Sequence, residues 1–293
     1  MTEHQHWPDG QQSAVVITID FNDIHGILTQ TPAVAGRDKT LSVWRYGTLR
    51  GVDRLLALLD KHQIRASWCL PAIVAAENAE VFGRIVAAGH EIAVSGDRHQ
   101  NFDLLTLEQQ IASVRAGCQQ LEDACGIRPV GFRTPAGQWK PGLAVALAAE
   151  GIRWSSSWRG DDLPYFHPGT RLVELPMHYE LEDEPYFAFN LSPAVPPGQS
   201  RIASYRETLG NMQQDFAGFH RFGLCTVMRL HPEIIGTAGR IGMLDQLLTF
   251  MRGHQQVWFA SAQEVAEWWQ TQPDNCAEHP ANVFTRCSQE GQS

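Results

Sequence analysis

Short apolar runs recur along the chain, and each is followed by a stretch whose apolar positions return every three or four residues. Ala14–Asp20 (AVVITID), Arg65–Pro71, Glu91–Gly96, Pro129–Pro135, Arg153–Trp158, Leu172–Met177, Cys225–His231 and Val257–Ser261 have the length and β-branched content of strands. Between them, Arg50–His62, Val81–Ala88, Leu107–Ala124, Leu143–Glu150, Tyr205–Phe222 and Met243–Arg252 carry helical spacing. Repeated strand-then-helix units predict an α/β protein with a parallel sheet, and this many predict a distorted (β/α) barrel of seven or eight parallel strands. A single barrel catalytic domain is expected over residues 1–272. Two segments break the rhythm. His25–Tyr46 reads as a long connection after the first strand, with Trp44 and Tyr46 near its end, and long connections in compact domains are often functional lids. The tail 273–293 is polar and aperiodic, and is expected to be disordered or to form an arm on a neighbouring subunit.

In such a barrel, chemistry gathers at the C-terminal strand ends. The first predicted strand ends in Asp20, Asn22 and Asp23; the third in Ser95, Asp97 and His99; the fourth in Arg133. The fifth ends in Ser156, Arg159, Asp161 and Asp162, the sixth in His178, and the seventh in Arg229 and His231. So many strands ending in polar residues point to one shared site. Singly, each residue has a plainer explanation. Asp20 can cap a turn, Arg133 can hold Asp20 or Asp161 in an ion pair, and His231, ahead of Pro232, can be a satisfied core histidine. His178 stays open between the two. His90 precedes its strand and is expected at the opposite end of the barrel. Together, a carboxylate and a histidine facing one another are the minimum for general acid–base hydrolysis.

Composition narrows the classes. The formal net charge is −9 with no Lys/Arg block, which argues against a nucleic-acid partner or an anionic membrane surface. No apolar run approaches the roughly 20 residues that cross a bilayer. The first residues, MTEHQHWPDGQQ, lack the basic and apolar regions of a secretion signal, so a cytoplasmic location is expected. The six cysteines form no C-x-x-C pair and read as reduced thiols; Cys69, Cys118 and Cys225 sit in apolar patterns rather than in a reactive setting.

Five stretches carry a family resemblance: ITIDFND, RASWCLPAIVAAENAEVFGRIVAAGHEIAVSGDRHQN, GFRTPAGQW, WSSSWRGDDLPY and LHPEIIGTAGR. From about Val15 to Trp269 the chain resembles the polysaccharide deacetylase family of NodB-like barrels. It looks closest to the cytoplasmic branch that includes peptidoglycan-deacetylase-like proteins, allantoinases and cyclic imide hydrolases. The resemblance implies catalytic roles for Asp20, His231 and Arg133. The family's metal-binding aspartate falls on Asn22, and its H-x-x-x-H motif reads Ser95-Gly96-Asp97-Arg98-His99, so only His99 survives. Catalytic zinc wants three strong protein ligands and an open position. No metal and no other cofactor is therefore expected; a metal, if bound, would use His99 with Asp23 or Asp97.

Without a Lewis acid, an N-acetyl amide is a hard target, whereas a cyclic imide has a more electrophilic carbonyl and a delocalised leaving anion. Hydrogen-bond donors in a dry pocket can then polarise the carbonyl. The expected function is metal-independent hydrolysis of cyclic imides such as maleimide or succinimide at a ring C–N bond. An allantoinase-like cyclic amide hydrolase and a zinc-dependent polysaccharide or peptidoglycan deacetylase are the alternative enzymes, and a catalytically dead barrel that binds a sugar or a protein partner is the alternative of a different class. Asp20 is expected to act as base, His231 as acid or oxyanion stabiliser (sequence leaves the reverse open), and Arg133 to keep Asp20 ionised. Asn22, Ser95 and His99 would line the former metal pocket. Trp44 and Tyr46, with Tyr186, Phe187 and Phe189, would close over the ring or serve as core or interface. A small-molecule substrate and a homotetramer are the expected partners.

Overall fold

The computed structural model describes residues 7–188 and 202–272, so Phe189 and the tail 273–293 lie outside the described residues. The strands are β1 (Ser13–Asp20), β2 (Ser67–Leu70), β3 (Glu91–Val94), β4 (Gly131–Phe132), β5 (Trp154–Ser155), β6 (Tyr165–Phe166), β7 (Val173–Glu174), β8 (Cys225–Leu230) and β9 (Val257–Ala260). They form one sheet in the order β6-β7-β5-β4-β3-β2-β1-β8, with β9 also paired to β1. All pairings are parallel except β6 with β7. The sheet curls into a half-barrel. Among the described residues between β7 and β8, Glu182 forms an isolated parallel bridge to Arg229.

Helices fill the connections. They are α1 (Asp23–Gln30), α2 (Asp38–Tyr46), α3 (Val52–Lys61), α4 (Ala72–Glu77), α5 (Ala79–Ala87), α6 (Leu107–Cys125) and α7 (Leu143–Ala149). After β7 come α8 (Glu184–Phe187) and α9 (Tyr205–Phe222), after β8 come α10 (Pro232–Ile235) and α11 (Ala238–Arg252), and after β9 comes α12 (Ala262–Gln270).

The alternation of β1 decides what reaches the site. Val15, Ile17 and Ile19 belong to the main core, which contains leucines of α3 and α11, whereas Ala14 and Val16 belong to a second core cluster with Val227 and Trp154. Successive side chains of a strand point to opposite faces, so Thr18 and Asp20 continue the inner row of Ala14 and Val16. On β8, Val227 likewise starts a row that continues through Arg229 to His231. Because Thr18 is level with Arg229 and Ile19 with Leu230, the next step sets Asp20 beside His231. The other end of the barrel is stoppered. Trp7 is 2% exposed, packs against Trp258 and Trp269, and donates its indole N–H to Gly223 O at 2.8 Å.

The structure departs from the sequence expectation in four places. The segment His25–Tyr46 is mostly helical: α1 and α2 pack Ile27, Val34 and Leu41 into a small core of their own. β4, β5 and β7 have two residues each, because the ladder gives way to side-chain bonds. The Glu174 carboxylate accepts the backbone N–H of Ser157 at 2.5 Å and of Trp158 at 2.8 Å in place of a strand partner. The unforeseen β6 folds back antiparallel on β7 through a turn containing Gly169, at φ +71°. The unforeseen α12 starts at a reciprocal cap in which Ser261 and Glu264 each accept the other's backbone N–H.

One close approach fixes the loop after β8. A Cβ on Gly51 would lie 2.1 Å from Pro232 O, so only glycine lets the single π-helical turn Gly47–Gly51 seat α10, and with it His231, against the barrel.

Candidate active site

Asp20 lies at the end of β1, 2% exposed, inside a ring of cations. Arg229 donates from Nε to Asp20 Oδ2 at 2.7 Å, Arg133 Nη1 stands 3.8 Å from Oδ1, and His231 Nε2 is 3.9 Å from Oδ2. Arg133, also buried, donates to Thr18 Oγ1 at 2.8 Å, so it is tied to β1 and to Asp20 rather than to Asp161. Burial opposes ionisation of Asp20, but Arg133, Arg229 and His231 outweigh it and hold the carboxyl well below the usual range. Oδ1 has no hydrogen-bond partner.

His231 is held from behind by a residue the sequence reading did not single out. Asp183, fully buried, accepts Nδ1–H through Oδ1 and the His231 backbone N–H through Oδ2, both at 2.7 Å. Burial alone would lower the imidazole pKa, but the Asp183 anion and its hydrogen bond reverse this and push it up to about 10. At neutral pH, His231 is thus an imidazolium with Nε2–H toward Asp20, and Asp20 has no proton to give. Asp183 belongs to the acidic run Glu180-Leu181-Glu182-Asp183-Glu184. Its neighbours matter as well. Arg229 Nη1 meets Glu182 Oε2 at 3.1 Å and Glu184 Oε2 at 3.9 Å, and Glu182 is bonded from its other side by Arg159.

A cavity of about 410 Å³ opens over this cluster, with Asn22, His99, Trp44, Tyr46, Arg229 and His231 among its lining residues. Of the expected pocket residues, Asn22, His99, Trp44 and Tyr46 therefore meet at the cavity, and Phe187 joins its wall. Ser95 does not line it; the side chain is buried behind, 2% exposed, at the end of β3. Tyr186 is likewise absent from the lining. His99, at φ +57°, is 2% exposed with Nδ1 unpartnered, and burial lowers its pKa to about 4, so it is a neutral imidazole facing the cavity. Glu233, on α10 directly after the His231-Pro232 pair, also lines the cavity. Burial pushes its carboxyl up to about 8 against the pull of His231. Nothing in the sequence separates Glu233 from a surface glutamate; its protonation follows from where α10 docks. His90 lies at the opposite end, as expected, where its Nδ1 accepts the Ala66 backbone N–H at 3.2 Å. His178 sits apart from the catalytic cluster, 3.3 Å from Asp162.

The donor set does not fit a catalytic metal. The positions that would supply ligands hold an amide, a hydroxyl and one imidazole: Asn22, Ser95 and His99. Asp97 is turned away, its Oδ1 bonded by Ser113 Oγ at 2.8 Å and by Gln100 Nε2 at 2.5 Å, which corrects the suggestion that it might complete a site. Asp23 lines the cavity, but burial raises its pKa, which weakens it as an anionic ligand. Among the described residues, no three His, Cys, Asp or Glu side chains are grouped to hold a metal ion.

Residues 42–154 match the family model described as polysaccharide deacetylase. The peptidoglycan deacetylase of Helicobacter pylori is 24% identical over 251 residues, 74% of this chain and 83% of that one. A crystal structure from Mycobacterium smegmatis, named for the polysaccharide deacetylases, superimposes with a TM-score of 0.85 at 29% identity, covering 93% of this chain and 94% of that one. The crystal structure of Puue allantoinase gives a TM-score of 0.78 at 22% identity, with 94% of each chain covered. No described helix is long and apolar enough to cross a membrane.

Proposed function

We propose that the chain is a hydrolase of the polysaccharide deacetylase superfamily that opens cyclic imides at a ring C–N bond without a metal; the family-model match and the structural neighbours support the superfamily part of this reading. The observation that carries this reading is the Asp20–His231–Asp183 chain beneath a cavity lined by the amide of Asn22 and the imidazole of His99, with Ser95 outside the lining. His231, charged and fixed by Asp183, delivers a proton to the departing ring nitrogen. Asp20 accepts the proton of the attacking water through Oδ1. Held so acidic by its three cations, Asp20 is a weak base, and the site has no Lewis acid to compensate. Such machinery suits a carbonyl that is already electrophilic, flanked by a nitrogen whose developing negative charge is delocalised onto a second carbonyl until His231 protonates it. That is an imide rather than a simple acetamide.

The carbonyl oxygen needs donors. Arg229 and the protonated Glu233 both line the cavity, and a neutral carboxylic acid in an apolar setting donates a strong hydrogen bond to a developing oxyanion. Because Glu233 must keep its proton, kcat/KM is expected to fall as pH rises through about 8, well before His231 loses its own proton near 10. Glu233→Gln, which retains an N–H donor and cannot ionise, is expected to remove the lower limb and leave only the upper one. A limb near 8 that survives in Glu233→Gln would assign it elsewhere.

Turnover of succinimide and of an N-acetylglucosamine oligomer by the same preparation tests the reading. Ring opening with no acetate release supports it. Acetate release with no ring opening would return the protein to sugar deacetylation. An allantoinase-like reading is favoured over the imide only if allantoin is turned over faster than succinimide.

A further inference from the structure

The cations around the catalytic pair are matched: Arg133 and Arg229 by Asp20, Arg229 again by Glu182, and His231 by Asp183. One cation on the same cavity is not. Arg240, in the first turn of α11, lines the cavity and is only 8% exposed. Its Nη1 donates to Ile234 O at 3.0 Å, its Nε has no hydrogen-bond partner, and its guanidinium lies 4.8 Å over the Phe187 ring. Among the described residues, no carboxylate comes within 4.0 Å of it, although Glu184 and Glu233 line the same cavity. The segment 189–201, FNLSPAVPPGQSR, which follows α8, contains no acid.

A buried guanidinium without an anion is costly, because its desolvation is not offset by a partner charge. The Phe187 ring covers one face of the guanidinium, and Ile234 O fixes one nitrogen. Its remaining N–H groups have no carboxylate within 4.0 Å among the described residues, and the paired N–H groups of a guanidinium match a carboxylate. The position of Arg240 in the first turn of α11 adds the positive end of the helix dipole to that field.

We propose that Arg240 anchors an anionic group of the substrate, so that the ring opened at His231 carries a carboxylate away from its scissile bond. That the anion is attached to a ring rests on the cyclic-imide reading; that the cavity takes an anion rests on Arg240 alone.

The test compares hydantoin-5-acetate with hydantoin-5-acetamide, which share a ring and differ in one charge. KM is measured where the ring is opened, and Kd by calorimetry where it is not. The wild-type protein is expected to favour the acetate by at least about tenfold, the scale of one buried charge-assisted hydrogen bond. Arg240→Gln is expected to abolish that preference, and Arg240→Lys to keep part of it. A wild-type protein that does not distinguish the two compounds overturns the proposal, whether or not the variants fold. So does a preference that persists in Arg240→Gln. If charge discrimination is present but neither ring opens, the anion site stands and the ring-opening reading falls.

Discussion

Replacing Asp183 with asparagine is expected to lower kcat/KM for succinimide at pH 7 by about a hundred- to ten-thousandfold, the range seen when a general acid or its orienting carboxylate is lost. The substitution keeps the shape and removes the charge. In the native protein, burial drives the His231 pKa down and Asp183 drives it up further, to about 10. Without the anion, burial dominates, the imidazole becomes neutral at pH 7, and Nε2 has no proton to deliver. Activity in the variant is then expected to recover as pH is lowered, whereas the wild-type protein needs no acid to keep His231 charged. The same pair links stability to pH. The folded-state pKa of His231 lies above its ordinary value of 6.5, so the stabilisation is full below about 6.5 and is lost as pH rises through about 10. Asp183→Asn should flatten that alkaline loss. A variant with the wild-type pH–rate profile would show that Asp183 does not set the charge of His231.

The second large effect concerns Asp20. Asp20→Asn is expected to reduce turnover by more than about a thousandfold, because the amide cannot take a proton from water. It also strips the shared anion from Arg133 and Arg229. Removing one partner of a buried ion pair leaves an uncompensated charge and costs on the order of 3–5 kcal/mol. Arg229 retains Glu182 and Glu184, whereas buried Arg133 has no other carboxylate within 4.0 Å among the described residues, so the full range applies. Chemical denaturation separates the two effects: kcat is measured on the fraction shown to be folded. Near-normal turnover in a folded Asp20→Asn protein would remove Asp20 from the mechanism and shift water activation to another carboxylate of the cavity.

The difference between what sequence disclosed and what it hid follows from how each feature is stabilised. β1 and β8 were readable almost to the residue because both faces are buried, and their apolar runs leave little choice of boundary. β4, β5 and β7 were read several residues too long. Their flanks are apolar enough for strands, but after β5 Glu174 captures the backbone donors of Ser157 and Trp158, and after β4 the Ser157 hydroxyl takes that of Thr134. The α1–α2 segment looked like a loop because its apolar residues serve a small private core rather than the barrel. The site divides in the same way. Asp20, Arg133, His99 and His231 occupy strand ends, where position in the fold is fixed by the pattern of the strand. Asp183, Glu233 and Arg240 lie on connections, and their roles arise from where they dock: against the His231 imidazolium, on the cavity wall, or, among the described residues, with no carboxylate within 4.0 Å. Ser95 and Asp97 illustrate how fine the distinction is. One sits behind the cavity and the other turns to Ser113, although both lie within four residues of His99.

The most direct measurement is the rate of maleimide opening by protein dialysed against a strong chelator, with its residual metal content determined on the same sample. A rate unchanged at far less than one metal per chain is the predicted result, with Asp20 and His231 supplying the chemistry on a substrate that needs no Lewis acid. A rate that vanishes on dialysis and returns with added zinc would contradict it.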